Sequence, residues 1–509
     1  MNLLSEVRDW WRPHPVPFHH RLDTPLLRFG RRDSWSIRDA AEATLITGGV
    51  GSGKSSGSGR AIAHAFLRAG MGGLVLCAKN NEAQRWMKLA RETGREKSII
   101  RFDASGTHRF NFMDYTAATL ARDGFDQNLS AALTAAAEAA RIVRSGGGGD
   151  NPFFRDAAEE MLLHVLPVLK VTQPRLELRD VMRFIDSAPQ SMDEARSEDW
   201  LRDSFCARTL LRCGDLAEQG DREAERIAEE HGDYWLVRFP TLGERTRGSI
   251  VATLTGTING LLTGRIRELF GTTTTVVPEL TQEGAIILLD LSIHEFGHVG
   301  AIAQHIFKTL WMQSVQHRHI HDRMRPCFLW ADEAQYFLSE ADAEFLSTAR
   351  EYRACPVYIT QDLPTLYAVM GGENSENRGR QLVAKFQTRI FHANTDPVTN
   401  RFASDVVGRV RKYRVSRSRS SGLNSGVSGQ QGAQDASSGG GAGRNTGRSV
   451  SIDTYDDDDI RPEYFGNELR TGGAGNRFRT DAIVIRSARR FRTGGRNRLK
   501  VTFRQKGMP

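Results

Sequence analysis

The chain has 509 residues, 39% of them hydrophobic, and a formal net charge of +8. That length accommodates two or three domains with cores of their own, and the positive balance favours a polyanionic partner. No run of about twenty apolar residues occurs, which argues against a helical membrane span, and residues 1–18 are too polar for a signal peptide. The five cysteines (Cys77, Cys206, Cys213, Cys327, Cys355) form no C-x-x-C pair; Cys77, Cys327 and Cys355 lie in apolar strand-like runs and read as small core residues in a reducing, cytoplasmic setting. Any membrane attachment is then expected through a partner.

Residues 1–40, with Trp10-Trp11 and several prolines, read as an N-terminal arm. From residue 41 strand and helix alternate: strands at 43–47, 74–78 and 99–102, helices at 56–69 and 82–93. That alternation predicts a doubly wound α/β sheet. Residues 115–270 switch to a helical period, with helices at 131–143, 152–171, 178–185, 202–216, 223–231 and 247–262. They are expected to form an all-helical domain inserted between two parts of the core, 41–114 and 271–509. The sheet resumes with strands at 285–290, 327–331, 357–359 and 386–392, and a helix at 299–316. Two last strands lie at 482–485 and 499–503. Residues 416–452 are Ser, Gly, Gln and Arg with almost no large apolar side chain, and are expected to be a disordered loop within the core.

The stretch Gly48-Gly49-Val50-Gly51-Ser52-Gly53-Lys54-Ser55 fits G-x-x-x-x-G-K-[ST] between a strand and a helix opening at Ser56. This is the context of a phosphate-binding loop. Backbone N–H groups and the helix N-terminus favour an anion there. Lys54 is expected to reach the β- and γ-phosphates of ATP, and the Ser55 hydroxyl to ligate Mg²⁺. The apolar strand 327–331 ends in Asp332-Glu333, a Walker B pattern. Asp332 is expected to hold Mg²⁺ and Glu333 to polarise the attacking water. Gln361 ends the next apolar strand, beside the γ-phosphate position. Arg350, between those strands, is read as a finger toward a neighbouring subunit's nucleotide.

His294-Glu295-Phe296-Gly297-His298 matches H-E-x-x-H, but Gly297 weakens the single helix that zinc ligation needs. The segment 461–509 holds thirteen Lys/Arg against three Asp/Glu, and Arg409, Arg411, Lys412 and Arg414 precede the low-complexity stretch. Such density suits phosphate neutralisation without sequence readout.

In the order phosphate loop, Arg109-Phe110-Asn111, helical insertion, Asp332-Glu333-Ala334, Arg350, Gln361 and Arg461-Pro462-Glu463-Tyr464-Phe465, the chain resembles the type IV coupling proteins. These are hexameric DNA-pumping ATPases of conjugation and type IV secretion. The resemblance runs from about residue 41 to the C-terminus. It implies a RecA-like P-loop NTPase core with an inserted all-helical domain. It also implies ATP and Mg²⁺ as cofactors, and a homo-hexamer acting on DNA without sequence preference. Relaxosome or secretion-channel proteins would be its partners. Family members usually have an N-terminal membrane-spanning pair, which is not seen here. They also tend to carry an Asp where this chain has Cys77-Ala78-Lys79, so Lys79 reads as a surface lysine. Two other readings stand beside this one: a soluble double-strand DNA translocase of repair, segregation or defence, and a non-motor platform that recruits protein substrates.

Overall fold

The computed structural model describes residue 7 and residues 16–119, 152–370, 374–424 and 443–505. Trp10-Trp11 and the helix expected over 131–143 lie outside these residues. The strands, in chain order, are β1 (Pro25–Arg28), β2 (Ser34–Ser36), β3 (Thr44–Thr47), β4 (Gly72–Leu76), β5 (Ile99–Asp103), β6 (Ile286–Asp290), β7 (Cys327–Asp332), β8 (Ala354–Thr360), β9 (Thr388–His392), β10 (Arg409–Asn424), β11 (Gly443–Asp458), β12 (Arg479–Arg486) and β13 (Arg498–Arg504).

Nine of them form one sheet in the order β13-β12-β9-β3-β8-β7-β4-β6-β5. The seven from β9 to β5 are parallel, and β12 adds antiparallel to β9. Parallel strands covered on both faces must be apolar throughout, and β3, β4, β7 and β8 are buried at every position. On one face the rings of Trp35, Phe66, Phe328 and Trp86 pack in series, with centroids 5.9, 5.5 and 5.4 Å apart. On the other face Phe102, Phe110, Phe270 and Phe307 join the sheet to the helical region.

After β5 the chain leaves the sheet and runs through helices that include Pro152–Thr172, Leu178–Asp186, Phe205–Glu218, Arg222–Asp233 and Glu244–Ile258. The exit and the return are tied together. Phe110 N donates to Leu269 O (2.7 Å), Asn111 N to Thr273 O (3.1 Å) and Thr275 N to Arg109 O (2.9 Å). The Arg109-Phe110-Asn111 motif therefore forms one side of a neck. The helix expected over 202–216 is split, because Ser204 is extended and caps Phe205–Glu218 through its hydroxyl. The arm is more structured than its sequence suggested. β1 and β2 pair, and Trp35 is fully buried with its indole N–H on Thr388 Oγ1 (3.2 Å).

The expected disordered loop needs correction. Within the described residues, 416–424 and 443–452 belong to β10 and β11, which pair antiparallel in continuous register from Arg409↔Asp458 to Asn424↔Gly443. Composition forbids a packed core here, but a two-stranded ribbon satisfies its backbone locally. Its root is also tied by charge, with Lys412 on Asp457 (2.9 Å) and Arg401 on Asp458 (3.2 Å).

The helix Ile293–Gln316 is kinked at Gly297, whose backbone is left-handed (φ 57°). His294 and His298 are thus not one turn apart on a continuous helix. Further along this helix, Lys308 and Asp342 form a fully buried ion pair (2.6 Å). Asp342 also accepts from the Tyr358 hydroxyl and from Ser339 N and Oγ (2.7 and 2.8 Å). Lys308 also donates to Phe337 O, and His305 pairs with Tyr336 O at 3.1 Å. This network fixes the turn that follows Asp332-Glu333. Removing one member strands a buried charge, so Lys308→Ala is expected to cost about 3–5 kcal/mol in denaturant unfolding; a loss below about 1 kcal/mol would contradict it.

Candidate nucleotide-binding site

β3 is central, with β9 on one side and β8 on the other, and β8 separates it from β7. The loop 48–55 leaves the C-terminal end of β3. Gly51 and Gly53 adopt left-handed φ of 75° and 87°, which a Cβ would strain. A Cβ on Gly48 would also sit 2.5 Å from Ser52 Oγ and 2.7 Å from His392 Cβ. Val50 is fully outside the core, at 86% exposure. The loop runs into a π-helical turn, Ser55–Gly59, and then the α-helix Arg60–Arg68.

Neighbouring strand ends hold this loop. Gly48 N donates to Gln361 O (3.2 Å) and Gly49 N to Ala393 O (2.9 Å). Thr480 Oγ1, on β12, donates to Ser52 O (2.6 Å), and His392 Nε2 pairs with Ser58 Oγ (2.7 Å). Gln505 Nε2 reaches Ser56 Oγ (2.8 Å). Burial pushes the His392 imidazole down to about 3, so it stays neutral.

A cleft of about 1060 Å³ opens over the loop, lined by Gly53, Lys54, Ser55, Trp86, Asp332 and Phe478 among others. Lys54 is 8% exposed; burial lowers its ammonium pKa, while Glu333 and Asp332 work against the shift. Asp332, at the end of β7, is buried, and its carboxyl is raised by burial although Ser55 hydrogen-bonds it. Ser55 and Asp332 therefore meet, as their sequence patterns require.

Glu333 adopts a left-handed backbone (φ 60°), rare for a side chain this size, which stores strain. Its carboxylate is clamped on both oxygens. Lys79 Nζ donates to Oε1 at 2.5 Å and Gln335 Nε2 to Oε2 at 2.9 Å. Gln335 Oε1 in turn accepts from Thr360 Oγ1 on β8 (3.2 Å). Burial acts to raise the Glu333 carboxyl, but Lys79, Gln335 and Lys54 outweigh it and the net shift is downward. Lys79, read from the sequence as a surface lysine, is thus a partner of Glu333. The side chains of Lys79 and Glu333 meet because β4 and β7 are adjacent, which no local pattern reveals.

Glu82 was also missed. It opens the helix Glu82–Glu92, and its Oε2 accepts from Ala78 N (2.8 Å) and Lys79 N (3.1 Å). Its Oε1 is buried with no partner among the described residues. Burial and the nearby Asp332 push its carboxyl up to about 8. The legible signal was an acid at a helix start just beyond a strand.

Gln361 lies at the end of β8, half-buried, and its carbonyl also accepts from Asn394 Nδ2 (2.9 Å). Arg350 is not in the cleft. It precedes β8, at the N-terminal edge of the sheet, and pairs with Glu42 at 3.2 Å. A seven-residue strand spans about 23 Å, so Arg350 lies far from its own phosphate loop.

The donor set fits a nucleotide with a divalent cation. Ser52 Oγ is a buried hydroxyl without a partner among the described residues, beside a glycine cradle and the Ser55–Asp332 pair. Fold and site together define a RecA-like P-loop core with an inserted helical region. A profile of the family described as "Type IV secretory system Conjugative DNA transfer" matches residues 20–436. The chain belongs to that family, the type IV coupling proteins. The unbound bacterial conjugative coupling protein TrwBdeltaN70 is similar in structure, with a TM-score of 0.57 at 14% identity over 99% of this chain and 92% of the other. Two further TrwB structures align over the same shares with TM-scores of 0.56. One is in complex with the non-hydrolysable ATP analogue ADPNP (13% identity) and the other with ADP and Mg²⁺ (14% identity). Likeness at this identity establishes the fold. No curated protein sequence matches the chain.

The Glu82 carboxyl provides a test of this electrostatic picture. Its folded value is raised from 4.5 to about 8, so unfolding releases its proton between those pH values and stability declines as pH rises through them. Glu82→Gln keeps the acceptor for the two amides but cannot ionise. Thermal melts are expected to match near pH 4.5 and to favour the variant increasingly up to pH 8. A gap that does not change with pH would refute this.

Proposed function

We propose that this protein is an ATP-driven DNA translocase, the coupling protein of conjugative DNA transfer or type IV secretion, working as a homo-hexameric ring. The observation that carries the reading is the meeting of Lys54, Ser55, Asp332 and Glu333 over the ends of β3 and β7, with Gln361 on the strand between.

Gly48, Gly49, Val50, Gly51, Ser52 and Gly53 supply backbone amides to phosphate oxygens, and Ser56 continues that row at the helix start. Lys54 adds a cation already desolvated, so its attraction to a γ-phosphate is little screened. Ser55 and Asp332 would hold Mg²⁺, which when bound neutralises charge between phosphate oxygens. Glu333 accepts the proton of the attacking water. Lys79 keeps it ionised near neutral pH, and Gln335 fixes its second oxygen. The Gln361 amide can accept from water and donate to phosphate. Arg350, remote from its own loop, serves as a finger only if the nucleotide lies between subunits. DNA is contacted through its backbone, relaxosome or secretion-channel proteins deliver it, and membrane recruitment comes through a partner.

Lys54→Ala is expected to abolish nucleotide binding. Glu333→Gln is expected to bind nucleotide but hydrolyse it at least about 10²-fold more slowly. Hydrolysis assays with single- and double-stranded DNA, alongside mass measurement of the assembly, check both. Undiminished DNA-stimulated turnover in either variant would contradict the motor reading, and absence of stimulation by either DNA would favour the recruitment platform. Lys79→Met removes the cation that lowers the Glu333 carboxyl, so the acid limb of the kcat/KM profile is expected to move to higher pH; an unmoved limb would exclude Glu333 as the base.

A further inference from the structure

About half of the cations of the C-terminal segment are held in internal pairs. Arg470 and Lys500 meet Asp481 (2.7 and 3.6 Å), and Arg489 meets Asp39 and Glu42 (2.8 Å each). Arg496 and Arg498 both meet Asp459. Charge spent this way is poorly placed to neutralise a polyanion.

The β10–β11 ribbon is different, and its charges are divided by position. At the root the cations of β10 face acids of β11. Arg409 pairs with Asp458 (3.7 Å), Arg411 with Asp456 (3.9 Å) and Lys412 with Asp457 (2.9 Å), and Arg414 lies in register with Asp453. Farther out the acids stop. Arg417 is opposite Val450, Ser418 opposite Ser449, and Arg419 directly opposite Arg448. All three arginines are exposed and have no acidic partner among the described residues. Side chains directly across a ladder share one face, and residues two apart do too, so Arg417, Arg419 and Arg448 project from the same side. Like charges directly opposite destabilise a ribbon. A two-stranded ribbon has little stability to spare, so this cluster points to an external anion. Tyr413, Val415, Val450 and Ile452, on the same face, are 67, 52, 61 and 63% exposed and add apolar surface beside the cations.

We propose that the distal half of this ribbon grips DNA, with Arg417, Arg419 and Arg448 neutralising backbone phosphates and the adjoining apolar strip lying against sugars and bases. This deepens the DNA-translocase reading and rests on it. Each strand has sixteen residues, so the ribbon is an arm of about 50 Å, and a two-stranded ribbon fits a DNA major groove. Its root is joined to the phosphate loop by a short path. Ala393 O accepts from Gly49 N, Asp396 caps the helix Pro397–Val407, and β10 follows at Arg409. An arm so rooted can pass a change at the loop to the DNA it holds.

The test uses the full chain and fluorescently labelled single- and double-stranded DNA across a salt series. Arg417→Ala/Arg419→Ala/Arg448→Ala is expected to weaken binding roughly tenfold or more at 0.1 M salt. It should also lower the slope of log K against log salt by about 2 to 3, one phosphate contact per arginine. DNA-free hydrolysis should be unchanged, because these side chains are exposed and outside the cleft, and the melting curve should not fall, because the variant also removes the opposed Arg419–Arg448 pair. Arg409→Ala/Arg411→Ala, which removes cations already paired, is expected to change the slope by less than one unit. The Arg→Lys triple variant should restore it. Loss on duplex only or on single strands only identifies which form the arm holds. Wild-type-like affinity and slope in the Ala triple variant would overturn the proposal, and so would loss of assembly with DNA affinity intact, which would make the ribbon a contact between copies. If the wild-type chain binds neither DNA, the translocase reading itself fails.

Discussion

A phosphate-binding loop built from glycine and serine has almost no side chain with which to hold its own shape, so its shape must be imposed from outside. Here the ends of three strands do so. Gln361 after β8 and Ala393 after β9 accept its first two amides, and Thr480 on β12 ties down Ser52. Contacts on the far side of the loop leave no room for a Cβ at Gly53, where it would meet Thr480 Oγ1 at 2.8 Å. The loop is therefore a product of the whole sheet, and its position depends on C-terminal strands more than 400 residues later.

Around that loop two lysines and three carboxylates cluster, all buried but Lys79, and the direction each is shifted follows from solvation. Asp332 and Glu82 lose more from burial than they gain from neighbours, so their carboxyls rise. Glu333 has Lys79 and Gln335 on its two oxygens and remains ionised. One carboxyl thus stays ionised while another, its charge opposed by burial, lies beside the Ser55 hydroxyl. The same environment that makes Lys54 costly to charge makes an anionic ligand its natural partner.

All nine strands of the main sheet were legible, the seven parallel ones because buried parallel strands are short continuous apolar runs, and the motifs that hold Lys54, Ser55, Asp332 and Glu333 were legible because they are local. What stayed hidden was pairing across the fold. Lys79 meets Glu333 only because β4 lies beside β7, and the arginines of 461–509 meet acids as distant as Asp39. Arg350 stands between β7 and β8 in sequence, yet it lies at the edge of the sheet away from its own phosphate loop, since a residue preceding a parallel strand lies opposite one following it. The β10–β11 ribbon escaped for another reason. Composition reports on core formation, and a ribbon held by its own ladder needs no core.

The central claim is that this chemistry moves DNA, and the most direct measurement is displacement of a third strand from a triplex-bearing duplex, or of streptavidin from a biotinylated single strand, by the full chain. Displacement that requires ATP and Mg²⁺ and stops when a non-hydrolysable analogue replaces ATP is the predicted result. Steady hydrolysis of ATP in the presence of DNA with no displacement of either block would contradict it.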